Sequence, residues 1–506
     1  MKKTALINTS RLTPRMSHRH RIAVLPFKNL GGDSLGILSE GLSDLSTETL
    51  READHYLVIV KESTKQLTTF PVPEVFQILN ADLLLTGELW MNDQLELRLQ
   101  LWERNSIDLP KWEAIIQSDK TQMFQLGNQL VEELNTRLCL SPQRTQKLPS
   151  NRQAYRSFLQ GNHFLNKWER GCAELAMVQF EKVMDLEPDF VPAYLGYAKS
   201  AFFLAGRGFR PAKELYPRVN ALLDHMIRFR PDYGELFIYK GIVQFFYELN
   251  WVAAYENMER GLGCFSAASE AYAQLSYFWY GMREYDKAID CVRIALEYNP
   301  LSTALINMLG DIQLSAERYQ EATATFKHIL ELNPDDKVAF ENLMYIAALQ
   351  GQARKTRHYL RLLTLDGTAT VADYPRLAFA YARLGMERET TTTLKALLAD
   401  TSSGQRFGRL ANLYTGKQDW EAAMGAIEQV FQSRYGLLYF LTDPQFRLLR
   451  SWKRYQNLEQ QIRIPTCLRY GNEIRLQTDL KNSINIDPNK LLYLRADEKY
   501  VEVVSF

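Results

Sequence analysis

Residues 269–334 read SEAYAQLSYFWYGMREYDKAIDCVRIALEYNPLSTALINMLGDIQLSAERYQEATATFKHILELNP, one unit written twice. Pro300 and Pro334 close the two copies, and the same offset separates every other landmark: Leu275 from Leu309, Tyr285 from Tyr319, Ala288 from Ala322, Val292 from Phe326. The pattern describes two short helices packed closely together. Alanine at 288 and 322 lets the second helix approach the first, while Tyr285 and Tyr319 fill the space beside it. The prolines stop the second helix, because proline lacks the amide donor and clashes one turn back. A single unit cannot bury its apolar face, so units stack, and the stack leaves a concave surface for binding. Nothing in this pattern implies chemistry.

That period and residue order resemble the tetratricopeptide repeat, a helix-turn-helix unit. The resemblance implies a mainly α chain, a superhelical α-solenoid spanning residues 151–462. Fainter copies flank the clear pair. Ala176, Phe180 and Pro188 mark a first unit, and the stretch from Pro188 to Pro231 a second with a lengthened turn. Trp251, Ala254 and Met258 mark a third, whereas Lys337–Leu365 and Asp373–Ala399 have lost the closing proline. Leu410, Ala411, Tyr414, Trp420, Ala423 and Ile427 restore the pattern. The array is expected to hold about eight units in a right-handed superhelix, with FLTDPQFRLLRSWKRYQNLEQQI as the helices that cap it. No sheet is expected between Asp189 and Gln432.

Residues 21–145 have a different character. RIAVLPFKNL reads as a buried strand stopped by Gly31-Gly32-Asp33, and residues 38–53 carry Leu42, Leu45 and Leu50 at helical spacing. HYLVIV is a second strand, and a short helix starts at Pro73. ADLLLTGELWMNDQLELRLQLWE is a hairpin turning at Asn92-Asp93, with Leu95, Leu97, Leu99 and Leu101 alternating. A strand over 112–117 and an amphipathic helix over 122–138 complete a β-α-β-α-β-β-β-α order, hence a mixed sheet with helices packed on it. These stretches, with SEGLSDLSTETL, resemble the TolB-like amino-terminal domain of bacterial proteins that also carry tetratricopeptide repeats. The resemblance implies a small α/β module without established catalytic residues, expected as a separate unit ahead of the array. The glycines at 31, 32, 36 and 41 match neither the dinucleotide nor the P-loop spacing and read as a plain turn.

Residues 467–506 return to strand character, in short β-prone runs separated by turn residues. IRLQTDLKNSINIDPNKLLYLRADEKYVEVV resembles the opening of the LytTR DNA-binding domain, with Leu491, Tyr493, Ala496 and Tyr500 at the family's positions. About the first third of such a domain is present, so no base-contacting residue carries over and the chain reads as cut short. The alternative is a hairpin that merely closes the helical array.

Composition bounds the function. A length of 506 residues allows about three domains. A net charge of +1 gives no global pull toward nucleic acid or membrane. Five scattered cysteines without a CxxC pair read as thiols of a reducing compartment, and no apolar run is long enough to cross a membrane. The chain is therefore expected in the cytoplasm. Residues 1–20 hold Lys2, Lys3, Arg11, Arg15 and Arg19 with no acid, and read as a disordered basic leader because the apolar core of a signal peptide is missing. The seven histidines form no HExxH, and no GxSxG occurs, so no enzyme, cofactor or metal is expected.

Two function classes follow. One is a bacterial regulatory protein whose TolB-like domain and array bind a partner or signal, with DNA bound only through a completed LytTR-like domain. The other is a non-catalytic protein-interaction scaffold. In either, a peptide would lie along the first helix of each unit, against Tyr277, Tyr280, Asn307, Asp311, Glu341, Tyr345 and Asn412. The amides would pair with an extended peptide backbone. Equally, the tyrosines would pack between neighbouring repeats.

Overall fold

The structure, a computed structural model, describes residues 20–32, 35–51, 56–59, 61–106, 108–119, 123–140, 149, 151–167, 169–206, 209–263, 268–400, 405–433 and 442–461, and the strand residues between 467 and 505. The basic leader lies outside the described residues. The chain divides into two units, His20–Leu458 and a second formed by Met1–Arg19 with Glu459–Phe506.

The first unit begins with a mixed sheet. Strand β1 (His20–Val24) runs parallel between β3 (Tyr56–Ile59) and β4 (Leu83–Met91), with Ile22 opposite both Val58 and Leu83. The short β2 (Lys28–Asn29) pairs with the far end of β4. Antiparallel β5 (Leu95–Glu103) and β6 (Trp112–Ser118) extend the sheet to the order β3-β1-β4-β5-β6. Because side chains alternate along a strand, Leu95, Leu97, Leu99 and Leu101 all point to one buried face. Helices α1 (Gly36–Arg51) and α4 (Met123–Arg137) cover that face with Leu38, Leu42, Leu45, Leu126, Leu130 and Leu134. Between them run the short α2 (Lys61–Thr64) and α3 (Val72–Leu79), the latter started by Pro71 and ended by left-handed Asn80.

Among the described residues eight helix pairs follow: α5 (Arg152–Leu165) and α6 (Arg170–Leu186), α7 (Val191–Gly206) and α8 (Ala212–Phe229), α9 (Gly234–Val243) and α10 (Trp251–Leu262), α11 (Ala268–Gly281) and α12 (Tyr285–Tyr298). Then come α13 (Thr303–Ser315) and α14 (Tyr319–Leu332), α15 (Lys337–Leu349) and α16 (Ala353–Leu363), α17 (Arg376–Arg383) and α18 (Glu387–Ala399), α19 (Arg406–Gly416) and α20 (Trp420–Ser433). A tetratricopeptide-repeat solenoid is the result, and no described residue between Asp189 and Gln432 lies in a strand. Helix starts are capped by side chains: Asn151, Asn250, Ser302 and Asp336 each accept an amide hydrogen bond from the first turn.

The repeat register runs further than the prolines show. From the third pair to the eighth, the turn between paired helices holds one residue in the left-handed conformation, at Leu249, Arg283, Glu317, Gly351, Gly385 and Gln418. Successive members keep the offset that separates Pro300 from Pro334, except that the last step is one shorter. In the two units without a closing proline this position is glycine, which reaches positive φ without steric cost. The small residue of the second helix keeps the same register, as Ala254, Ala288, Ala322, Thr356, Thr390 and Ala423, and all six are buried. At the matching contact on a first helix, a Cβ on Gly310 would meet the Phe326 ring at 2.6 Å.

The α/β domain is not separate from the array. Helix α1 has two buried faces. Its leucines enter the sheet core, while Ser39, Ser43, Ser46, Thr47 and Thr49 are also buried, and their hydroxyls donate to carbonyls one turn back. These small side chains let α5 of the first repeat approach closely, and a Cβ on Gly41 would collide with Leu159. A second contact joins the far edge of the domain to the fourth repeat. The Ser63 hydroxyl donates to Asn299 Oδ1 (2.6 Å) and accepts from the Leu301 amide (2.9 Å), and Arg21 donates to the Glu297 carbonyl (3.2 Å).

After the eighth pair, residues 444–451 form a 3-10 helix and α21 (Lys453–Gln461) follows. Only α21 packs as a cap, with Arg454 bound to Glu421 and Glu428 of α20 and the Tyr455 ring beside Phe431. The 3-10 helix, expected from the sequence to cap as well, has its polar contacts on first helices of earlier repeats instead. In the second unit, β7 (Cys467–Tyr470), β8 (Glu473–Leu476) and β9 (Ile484–Ile486) make an antiparallel sheet, and β10 (Leu491–Asp497) pairs with β11 (Tyr500–Ser505) as a hairpin.

Candidate peptide groove

The first helices of the later repeats lie side by side, α15 against α17 and α17 against α19. Repetition at a constant period therefore puts equivalent positions in rows along one surface. One row runs Tyr277, Asp311, Tyr345, Phe379 and, after a step one residue shorter, Asn412; another holds Asn307 and Glu341.

Six of the seven candidate residues meet in one polar network. Asn307 accepts a hydrogen bond from Asn342 Nδ2 (2.8 Å) and donates to Asp311 (3.4 Å). Asp311 takes both Nη atoms of Arg376 at 3.2 Å, and Glu341 accepts the Arg376 backbone amide at 2.8 Å. The same guanidinium donates to Asn342 and lies 4.6 Å over the Tyr345 ring. Tyr345 donates its hydroxyl to Asp443 Oδ1. Asn412 binds the Pro375 carbonyl at 3.2 Å and accepts from Gln445 Nε2 at 2.9 Å. Tyr280 meets Ser315 at 2.8 Å and the Thr442 hydroxyl. Tyr277 is the exception: its ring lies against Phe246 of the preceding repeat and at the edge of the apolar cluster that includes Tyr280 and Ala288.

The sequence reading missed Asn342, Arg376, Asp443 and Gln445. A usable signal existed for one of them, since Arg376 stands one full repeat after Asn342 and occupies its register position. Asp443 and Gln445 lie outside the periodic part of the chain, and periodicity says nothing about where such residues go.

The network is acidic and largely buried, with Asp311 partly exposed. Asp311, Glu341 and Asp443 surround one guanidinium that is itself largely buried. Burial pushes the Glu341 carboxyl up to about 7, against the opposing pull of Arg376. Asp311 is raised for the same reason. Burial disfavours the charged form, and the one arginine does not offset it for Asp311 and Glu341. Such a site can orient and hold a carboxylate-bearing segment; it contains no paired nucleophile and base. Among the described residues no group of His, Cys, Asp and Glu is arranged to hold a metal ion.

A second buried polar cluster lies nearer the α/β domain. Lys199 of α7 pairs with Glu270 of α11 at 3.3 Å, and Tyr239 of α9 donates to the same carboxylate. Burial raises the Glu235 carboxyl, and Glu48 and Arg51 at the end of α1 are close enough to influence it.

Comparison with known proteins gives a match to the tetratricopeptide repeat family over residues 304–336. No curated protein matches the chain. Solved structures with a similar course include the human IFIT1 dimer with PPP-AAAA, 18% identical over 68% of this chain and 79% of that one, with a TM-score of 0.42. Pseudomonas aeruginosa pilF is 14% identical over 54% of this chain and 98% of its own, with a TM-score of 0.29. The MamA protein is 20% identical over 35% of this chain and 91% of its own, with a TM-score of 0.25. At these values the neighbours carry no argument about function. No described helix is long and apolar enough to cross a membrane. This is a chain that contains a tetratricopeptide repeat.

Proposed function

We propose that the protein is a non-catalytic interaction scaffold of the cytoplasm, and that the first helices from α11 to α19 hold a short polypeptide segment. One observation carries this reading: side chains from α11, α15, α17 and α19 converge on residues 442–445, a stretch remote from them in sequence. Buried polar groups left without partners cost about 1–3 kcal/mol each. Here residues 442–445 supply partners to Tyr345, Arg376 and Asn412, so the groove's polar groups suit a polypeptide occupant. The test is selection of binders from a displayed peptide library against the full chain. Bound peptides should protect α13 and α15 from hydrogen exchange and lose affinity in Asn307→Ala. Selected peptides that protect neither helix would remove the groove from consideration.

A second reading is a regulator in which the TolB-like domain and the array receive a signal and the LytTR-like end contacts DNA. What favours it is the sequence resemblance at residues 486–501, where strands β10 and β11 lie. Specific binding needs base-edge contacts, and even non-specific binding needs clustered cations that displace counterions. With a net charge of +1, the 506-residue chain should bind duplex DNA no better than roughly 10⁻⁴ to 10⁻⁶ M at physiological salt. Fluorescence anisotropy against genomic fragments tests it: a selected site would count against the scaffold reading, and would mean that recognition does not wait on a completed LytTR-like domain.

A further inference from the structure

The groove is already occupied by the chain itself. Residues 442–451, TDPQFRLLRS, enter it as a 3-10 helix from Pro444 to Ser451. Runs of this helix beyond three or four residues are uncommon, because its hydrogen bonds are strained. Eight residues in that form imply support from the surroundings. With three residues per turn, positions i, i+3 and i+6 fall in one line. Here that line is Asp443, Phe446 and Leu449, and all three are at most 1% exposed. The opposite side carries Leu448, which is 61% exposed, and Arg447, which reaches out to Glu317 at 2.8 Å.

Each member of the line has a defined role. Asp443 caps its own helix by accepting from the Gln445 amide (3.0 Å). Its carboxylate also takes the Tyr345 hydroxyl and lies 3.8 Å from Arg376 Nη2. Phe446 and Leu449 supply the apolar burial, and Arg450 closes the turn by donating to the Asp443 carbonyl (3.0 Å).

Resting on the scaffold reading above, we infer that this segment is an internal stand-in for the groove's external partner: a protein segment with a carboxylate, an aromatic three residues on and an aliphatic residue three further on. The groove recognises the carboxylate through Tyr345 and Arg376 and excludes water around the two apolar side chains. The internal copy competes with the partner for the same contacts. A tethered segment acts at about millimolar effective concentration, so a free peptide of equal affinity is held off until it is similarly concentrated. A partner gains access by binding more tightly, or when something else draws the internal copy out.

The experiment uses the full chain and a fluorescein-labelled peptide, TDPQFRLLRS. Wild type should bind it weakly. The double variant Phe446→Ala/Leu449→Ala, which loosens the internal copy, should bind at least tenfold more tightly. That gain should vanish when Arg376→Ala is added, or when the peptide carries Asn for its Asp. Leu448→Ala, on the exposed side, should change nothing. Should the double variant fail to fold, wild type provides the second measurement: saturating peptide should release residues 442–451 to hydrogen exchange while 303–315 and 337–349 stay protected. No gain in the folded double variant, or no release in wild type, overturns the inference. A dimer in wild type that exchanges this segment between copies would also overturn it, in favour of self-association. Library binders that lack the acid-aromatic-aliphatic pattern yet still need Asn307 would sink this inference alone. Binders that bypass the groove would sink the scaffold reading with it.

Discussion

Replacing Glu341 by glutamine should make the protein more stable above neutral pH and leave it nearly unchanged in acid. Glu341 sits on α15 with its carboxylate buried, accepting the Arg376 amide at 2.8 Å. Burial takes its carboxyl from the ordinary 4.5 to about 7. Between those values the folded chain holds a proton that the unfolded chain has lost. Stability from this group is therefore fully present below pH 4.5 and lost as pH rises through about 7. At 1.36 kcal/mol per pH unit the loss comes to about 3 kcal/mol. Glutamine keeps an oxygen for the Arg376 amide and cannot ionise, so E341Q escapes the loss. Thermal melts of both full-length proteins at about pH 5 and about pH 8 test this, because most of the difference develops in that window. Parallel pH profiles for E341Q and wild type would refute the reasoning, since they would mean that Glu341 does not gain a proton on folding.

Other outcomes follow from single contacts. Ala322→Leu should cost about 1–3 kcal/mol by overpacking the contact between paired helices, whereas Glu321→Ala, one residue away and exposed, should leave the melting midpoint almost where it was. Ser63→Ala strips a buried hydroxyl from both Asn299 and the Leu301 amide, at about 1–3 kcal/mol; hydrogen exchange over residues 299–303 should quicken while the sheet core stays protected. Burial pushes the Cys291 thiol up to about 12, so at about pH 8 it stays protonated and unreactive. Exposed Cys139 should be alkylated first, and Cys291 only after denaturation; equal rates in the folded chain would contradict its burial.

Much of the fold was legible because its determinants are local. Leu95 to Leu101 alternate with the period of a strand, and Ala288 and Ala322 repeat with the period of a helical hairpin. Neither pattern needs distant residues to be read. The degenerate units were harder, because proline is only one way to end a helix. Gly351 and Gly385 hold the inter-helix turns there, and Thr356 and Thr390 take the place of alanine. The site was legible in part. The repeat register put Asn307, Asp311, Glu341, Tyr345 and Asn412 on one surface, but it placed Tyr277 there too, and that ring lies against Phe246 of the preceding repeat instead.

The sequence by itself determined the repeat, its period, the succession of strands and helices in the first domain and most of the residues that face along the array. Each is encoded by residues within one or two turns or one hairpin, where the backbone leaves few alternatives. Only the tertiary structure decided that α1 lies on α5, that Ser63 reaches Asn299 across 236 residues, and that Asp443 reaches Tyr345 across 98. Those contacts depend on how many units stack between the partners and on which polar groups they leave unpaired. The closure entropy of a long loop grows only slowly with its length, so distance along the chain forbids few such pairings and selects none. Burial and hydrogen-bond satisfaction make the selection, and they are properties of the assembled surface.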